Sequence, residues 1–171
     1  MKRLIVAFAL FAVAGVVPAQ AAPERVGVVD MQRAVSESRE GKAARAEVLR
    51  KKEQYSAELK TLLEQIEGLK SDLKKNGATL SAELRGEKEQ QLQQKGRDFQ
   101  KRQRDAQEEL KLLETDRVNL IVKRLGLLLG KIGDEGGYAV ILDQAAGVRY
   151  LSKAVDVTPL LVKKADETSG N

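Results

Sequence analysis

The residues best able to interact with a charged partner lie in one short basic run. Between positions 95 and 104 the sequence has five basic residues against one acid, Asp98; the basic ones are Lys95, Arg97, Lys101, Arg102 and Arg104. Such a cluster attracts acidic polypeptides or anionic lipid head groups over about a Debye length. The alternative interpretation is a solvated helix face that binds nothing.

Residues suited to catalysis are harder to find. The 171 residues include no cysteine and no histidine, which removes thiolate and imidazole chemistry and the metal sites built from them. Segment 133–137 combines three glycines with Asp134 and Glu135, but it follows a helical stretch and precedes a strand. A phosphate-binding loop has the opposite order, because it follows a strand and opens a helix. We therefore expect a helix stop there, and no enzyme activity, cofactor or metal.

The N-terminus has the layout of a secretory leader. A basic start, Met1 to Arg3, precedes an apolar run from Leu4 to Val17 and the small residues that end at Ala21. This pattern predicts cleavage after Ala21 and export from the cytoplasm, with an uncleaved anchor as the alternative. Loss of Lys2 and Arg3 would take the formal charge from +5 to +3. Nucleic acid is not expected as a partner of an exported protein.

The longest feature is a predicted helical hairpin over residues 40–135, with its tip near 76–80. The composition there is rich in Ala, Glu, Lys, Leu and Arg, which favour helix. Apolar residues in the first half follow steps of three and four. In the second half they recur every seven residues, at Leu92, Phe99, Ala106, Leu113, Leu120 and Leu127. This spacing is typical of a coiled coil.

A reversal near Gly77 predicts a register in which facing residues have numbers that sum to about 154. Tyr55 would then face Phe99, and Gly68 would face Gly86 as a hinge near the tip. We expect Tyr55 and Phe99 to pack on each other, with contact to an unfolded partner as the alternative. The same register puts Lys52 opposite Arg102, so part of the seam is expected to be cationic and to pack poorly.

The remaining segments predict a small β body. Residues 25–30 and 138–143 indicate strands, and 148–151 indicates the return strand of a hairpin. Thr158 is expected to cap a short helix that runs through Lys163. The predicted domains are a cleaved leader (1–21), a body and oligomerisation region (22–39 and 136–171) and the arm (40–135). The apolar stretch 118–132 offers more surface than this body can cover, which favours an oligomer with a shared core.

Two strand motifs and their order around the arm resemble the Skp/OmpH family of periplasmic chaperones. They are the segment 25–31 just after the leader, and the segment 137–143 with its turn to Val148-Arg149-Tyr150. Segment 155–158 before the last helix completes the pattern, so the resemblance covers nearly the whole mature chain.

The resemblance implies an α+β fold, mostly α, in which a small β body carries a long antiparallel coiled-coil hairpin. It also implies a homotrimer whose arms hold unfolded outer-membrane β-barrel proteins in a cavity without ATP. A lipopolysaccharide site proposed for some members is not assigned to residues here. The competing hypothesis is a periplasmic coiled-coil adaptor or tether, which needs larger flanking domains than this chain supplies.

Overall fold

The computed structural model describes residues 25–169, so the predicted leader lies outside the described residues. The elements in chain order are strand β1 (Arg25–Val29), helix α1 (Met31–Glu37), helix α2 (Arg39–Asn76), helix α3 (Ala82–Gly136), strand β2 (Tyr138–Asp143) and helix α4 (Thr158–Thr168). Short 3-10 turns occupy Gln144–Ala146 and Lys153–Val155. The predicted fold class, mostly helical with a small sheet, is confirmed.

Helices α1 and α2 meet at a tight corner formed by Ser38. This residue ends α1 and caps α2, and its hydroxyl accepts the Gly41 backbone N–H at 3.1 Å. A Cβ on Gly41 would lie 1.7 Å from the carbonyl oxygen of Val35. Only glycine therefore allows the two helices to approach this closely.

Helices α2 and α3 form the arm. At about 1.5 Å per residue they span roughly 57 Å and 80 Å. Ser81 caps α3 by accepting the Leu84 backbone N–H at 3.2 Å. Gly77 follows α2 with φ −57° and ψ −27°, so this helix ends without a left-handed residue. Within residues 25–169 only Gly137 and Gly147 have positive φ.

The predicted register of the arm is also wrong. It would place Glu58 opposite Gly96 and Asp72 opposite Ala82, but these acids pair with Arg102 and Lys88. Both partners lie about one heptad further along α3, and a heptad repeat presents similar residues after such a slide. The apolar pattern therefore fixes which faces meet and leaves the axial offset open.

The same shift separates two other predicted pairs. Arg102 does not face Lys52, because it binds Glu58 and Glu109. The predicted hinge is also wrong, because the shifted register does not place Gly68 opposite Gly86. The seam is thus more fully ion-paired than the sequence analysis expected.

The sheet has two parallel strands, with Val26 beside Val140 and Val28 beside Leu142. The predicted hairpin return at 148–151 is wrong, since this segment has no strand. A 3-10 turn and Gly147, with φ 100°, direct the chain away from β2. On the other side of β1, Val28 instead forms a bridge with Asp156.

The core lies between the sheet, α1, α4 and the basal part of α3. Its buried residues are Val29, Ala34, Ile121, Leu125, Ile132, Val157, Leu161 and Ala165. Helix α4 continues to Thr168, beyond the predicted end. Thr158 is the first residue of α4 and not its N-cap, which is Val157. The Thr158 hydroxyl is fully buried and accepts the Asp30 backbone N–H at 2.9 Å.

Asp156 joins these elements. Its carboxylate accepts the Thr158 backbone N–H at 2.9 Å and the Arg33 guanidinium. Burial acts to raise the pKa of Asp156, but hydrogen bonds from Thr158 and Arg33 outweigh it and hold the pKa below its ordinary value. The same hydrogen bond to Asp156 raises the pKa of Arg33. A paired carboxylate therefore holds the start of α4 against α1.

Candidate functional site

The arm has one well-packed polar cluster halfway along its length. Tyr55 is only 4% exposed, although its neighbours on α2 are open to solvent. The Arg102 guanidinium lies 4.5 Å from the centre of the Tyr55 ring, which is the geometry of a cation–π contact. The Tyr55 hydroxyl donates to Glu109, and this hydrogen bond is the main reason that the pKa of Tyr55 is raised.

Arg102 also binds across the hairpin to Glu58, with Nε 2.7 Å from Oε2. The hydrogen bond that Arg102 donates to Glu58 is the main cause of the raised pKa of Arg102. This side chain therefore joins α2 to α3 and has little capacity left for an external anion. Tyr55 and Arg102, both predicted as contact residues, are placed together by the structure as part of the arm's own packing.

The other predicted basic residues divide into two groups. Lys101 pairs with Asp105 one turn along at 2.6 Å, and this hydrogen bond lowers the pKa of Asp105. Arg97 donates to the neutral Gln94 at 2.7 Å. Lys95, Arg97 and Arg104 form no salt bridge among residues 25–169, and Arg97 and Arg104 are exposed. These three cations remain available to a partner.

Phe99 is half-buried. The predicted packing of Tyr55 on Phe99 is replaced by the contacts of Tyr55 with Arg102 and Glu109. Sequence reasoning missed the two acids, Glu58 and Glu109, that neutralise Arg102. A register shifted by one heptad brings Glu58 to the level of Arg102, so it would have predicted this ion pair.

The base carries an uncovered apolar surface. One face of the sheet packs on the core, because a Cβ on Gly27 would lie 3.1 Å from Val157. The opposite face exposes Val26, Val140 and Leu142 by 47%, 42% and 43%. On α3, Leu120 and Leu127 are 57% and 68% exposed, so the predicted heptad stripe leaves the hairpin seam there.

Residues 25–169 contain no cluster of His, Cys, Asp and Glu side chains arranged to hold a metal ion. None of the helices in that range is long and apolar enough to cross a membrane.

These features define a helical-arm protein, in which a small α/β base carries one long antiparallel hairpin. A sequence profile of the family described as "Outer membrane protein (OmpH-like)" matches residues 25–164. The chain belongs to this OmpH-like family.

The fold is similar to that in a crystal structure from Caulobacter crescentus CB15, of a protein proposed to be an outer membrane chaperone (OmpH-like). The TM-score is 0.80 at 23% identity, over 86% of this chain and 87% of the other. A search among curated proteins finds no significant match. The family match thus assigns the chain to the OmpH-like family, and the likeness to the Caulobacter protein shows a shared fold.

Proposed function

We propose that this protein is an ATP-independent holdase of the periplasm that binds unfolded outer-membrane β-barrel proteins. The observation that carries the proposal is the OmpH-like match, which spans the base and the whole arm. A slender hairpin on a small base has a large surface for its mass, which suits a protein that surrounds a client. No nucleotide is needed in this scheme, because binding and release are both equilibrium steps.

The surface of the arm supports weak, distributed contact. Leu63 and Leu84 are 43% and 42% exposed, and charged residues lie close to each in sequence. Isolated apolar side chains of this kind offer contact area without forming one adhesive patch. An unfolded barrel has unpaired strand edges that aggregate, and many weak contacts would keep these edges apart from other chains.

The uncovered apolar surface of the base supports assembly into a homotrimer. Val26, Val140 and Leu142 form one face of a sheet of only two strands, and Tyr150 nearby in sequence is 85% exposed. Covering this face with equivalent faces of other copies would complete a shared core. Three arms would then project from one base and enclose a cavity.

Within this scheme Lys95, Arg97 and Arg104 would contact acidic client segments or anionic lipid, including lipopolysaccharide. Their charges, which form no salt bridge among residues 25–169, favour fast, salt-sensitive capture rather than tight binding. Lys101, Arg102, Tyr55 and Phe99 would act mainly by holding the arm in shape. The basic cluster predicted from sequence is thus proposed to divide into a binding group and a packing group.

The proposal is tested by diluting a urea-unfolded outer-membrane barrel protein into buffer with the purified protein and following light scattering. We expect one trimer per client to suppress aggregation. Unchanged scattering at that ratio would overturn the holdase proposal. Suppression without any further partner would also separate a holdase from an adaptor, which acts only between fixed proteins.

A further inference from the structure

A groove of about 1210 Å³ lies where the arm joins the base. We call it the basal groove; helix α1, the first turns of α2, the middle of α3 and the end of β2 line it. Its apolar lining consists mainly of Met31, Val35, Val48, Leu49, Val118 and Val122. Met31 and Val35 also pack against the buried core, so the fold fixes this part of the groove.

The apolar lining is open to solvent. Leu49, Val118 and Val122 are 52%, 39% and 38% exposed, and they lie on the two helices that face each other across the groove. Burying such side chains contributes about 25 cal/mol per Å² of apolar surface removed from water. A ligand that covered these side chains would therefore gain binding free energy from the hydrophobic effect.

Basic residues surround this lining. Four of them are exposed and form no salt bridge among residues 25–169: Lys42, Arg45, Lys52 and Lys111. A fifth, Arg117, is already bound to Glu47 at 2.8 Å. Among the acids, Asp30 and Asp143 accept backbone N–H groups, which leaves Glu114 without a partner. Both aspartates keep their negative charge, so the four available cations face three carboxylates and the groove is only slightly more basic than acidic.

We propose that the basal groove binds an extended segment of unfolded polypeptide in which acidic residues adjoin apolar ones. The volume exceeds the roughly 300–1,000 Å³ of small-molecule sites, so it suits a chain of several residues. Apolar side chains of the segment would cover Leu49 and Val118, and its carboxylates would pair with the surrounding cations. This inference rests on the proposed function, since it names the part of the client that is held at the base.

The structure favours a peptide over two other occupants. A bilayer would need a protruding apolar surface, but Met31 and Val35 are half-buried at the floor of a recess between helices. A second copy of this chain has a separate apolar surface available on the outer sheet face at Val140 and Leu142. The excess of unpaired cations matches an anionic segment better than either alternative does.

The first experiment measures fluorescence anisotropy with a labelled ten-residue peptide of alternating leucine and glutamate and the purified full-length mature protein. A second peptide carries glutamine in place of every glutamate. We expect the acidic peptide to bind at least about tenfold more tightly, because a tenfold ratio needs only about 1.4 kcal/mol from several charge pairs. Equal affinities for the two peptides would overturn the proposal.

The second experiment uses matched variants. Lys111→Glu should weaken the acidic peptide about tenfold, and Leu49→Gln should weaken both peptides. Lys70→Glu and Leu112→Gln are controls with the same chemical changes at exposed positions on the arm that do not line the groove. Equal losses in the variants and their controls would contradict the assignment.

Two further readouts exclude the other occupants. The molar mass from light scattering should be the same for Lys111→Glu as for the unmodified protein, and a changed mass would assign the groove to contact between copies. Vesicles of anionic phosphatidylglycerol should not displace the peptide, and displacement would indicate a lipid site instead. If the protein suppresses barrel aggregation but does not bind the peptide, the groove proposal fails alone. If it does not suppress aggregation, the holdase proposal fails.

Discussion

At the scale of single residues, the corner between α1 and α2 depends on the missing side chain of Gly41. A Cβ there would lie 1.7 Å from a backbone carbonyl, whereas a Cβ on Gly68 would meet nothing within 4 Å. Gly41→Ala should therefore lower the free energy of unfolding by about 1–3 kcal/mol, because the corner must open.

Gly68→Ala is the control for that prediction. At a helical position with free space, alanine should raise the free energy of unfolding by about 0.4–1 kcal/mol. Urea titrations followed by circular dichroism measure both changes. A Gly41→Ala protein as stable as the unmodified one would show that the corner is more open than described.

Asp156 gives a prediction about pH. Its folded-state pKa is lowered, so its contribution to stability is present above its unfolded pKa of about 3.9 and is lost as the pH falls through the folded value. Asp156→Asn keeps an oxygen for the Thr158 N–H but loses the ion pair with Arg33. It should cost about 1–3 kcal/mol at pH 7 and flatten the acid side of the pH–stability curve.

The control is Asp105→Asn, because the Asp105 side chain is 37% exposed and its pair with Lys101 is screened by solvent. Replacing it should leave the stability nearly unchanged across the pH range, because solvent screens the pair. Urea titrations at several pH values between 3 and 7 provide the comparison. Parallel pH curves for Asp156→Asn and the unmodified protein would exclude a role for this carboxylate.

At the scale of elements, the register of the arm can be measured directly, because the sequence has no native cysteine to interfere. Cysteines introduced at Glu58 and Arg102 should be joined within one chain by a short bis-maleimide linker. Cysteines at Glu58 and Gly96, which face each other in the register predicted from sequence, should react far less. Mass spectrometry of the denatured monomer distinguishes the two products, and preferential linkage of the second pair would contradict the observed offset.

The sequence predicted the elements better than their pairing. The two helices of the arm and the strands β1 and β2 followed from local composition and spacing. The axial offset could not be predicted, because apolar residues recur every heptad along α3. Only charged partners such as Glu58 and Arg102 select one offset, and their long side chains leave a weak signal in the sequence.

The strand pairing was missed for a different reason. Strands β1 and β2 pair in parallel, but in sequence one precedes the arm and the other follows it. Local turn signals instead favoured a hairpin after Asp143. The cationic cluster was found, but its division into paired and available residues depends on three-dimensional neighbours. The basal groove brings together segments as distant as Met31 and Val122, so no local pattern could indicate it.

At the scale of the whole molecule, the outer sheet face should determine the oligomeric state. We expect light scattering to give a mass of three chains for the unmodified protein. Leu142→Glu should shift it toward the monomer, because burying an unpaired carboxylate at an apolar contact is costly. Leu63→Glu on the arm is a matched control, since both leucines are 43% exposed. A trimer that survives Leu142→Glu would place the contact elsewhere.

The parallel pairing of β1 with β2 also sets an order of events during folding. Arg25 and Tyr138 are 113 positions apart, and everything between them except α1 and the tip belongs to the arm. The entropic cost of closing so long a loop is much smaller once α2 and α3 have paired along their length, because this pairing brings the ends of the loop close together. The first strand to be synthesised must therefore wait, unpartnered, until β2, in the last fifth of the polypeptide, has followed it.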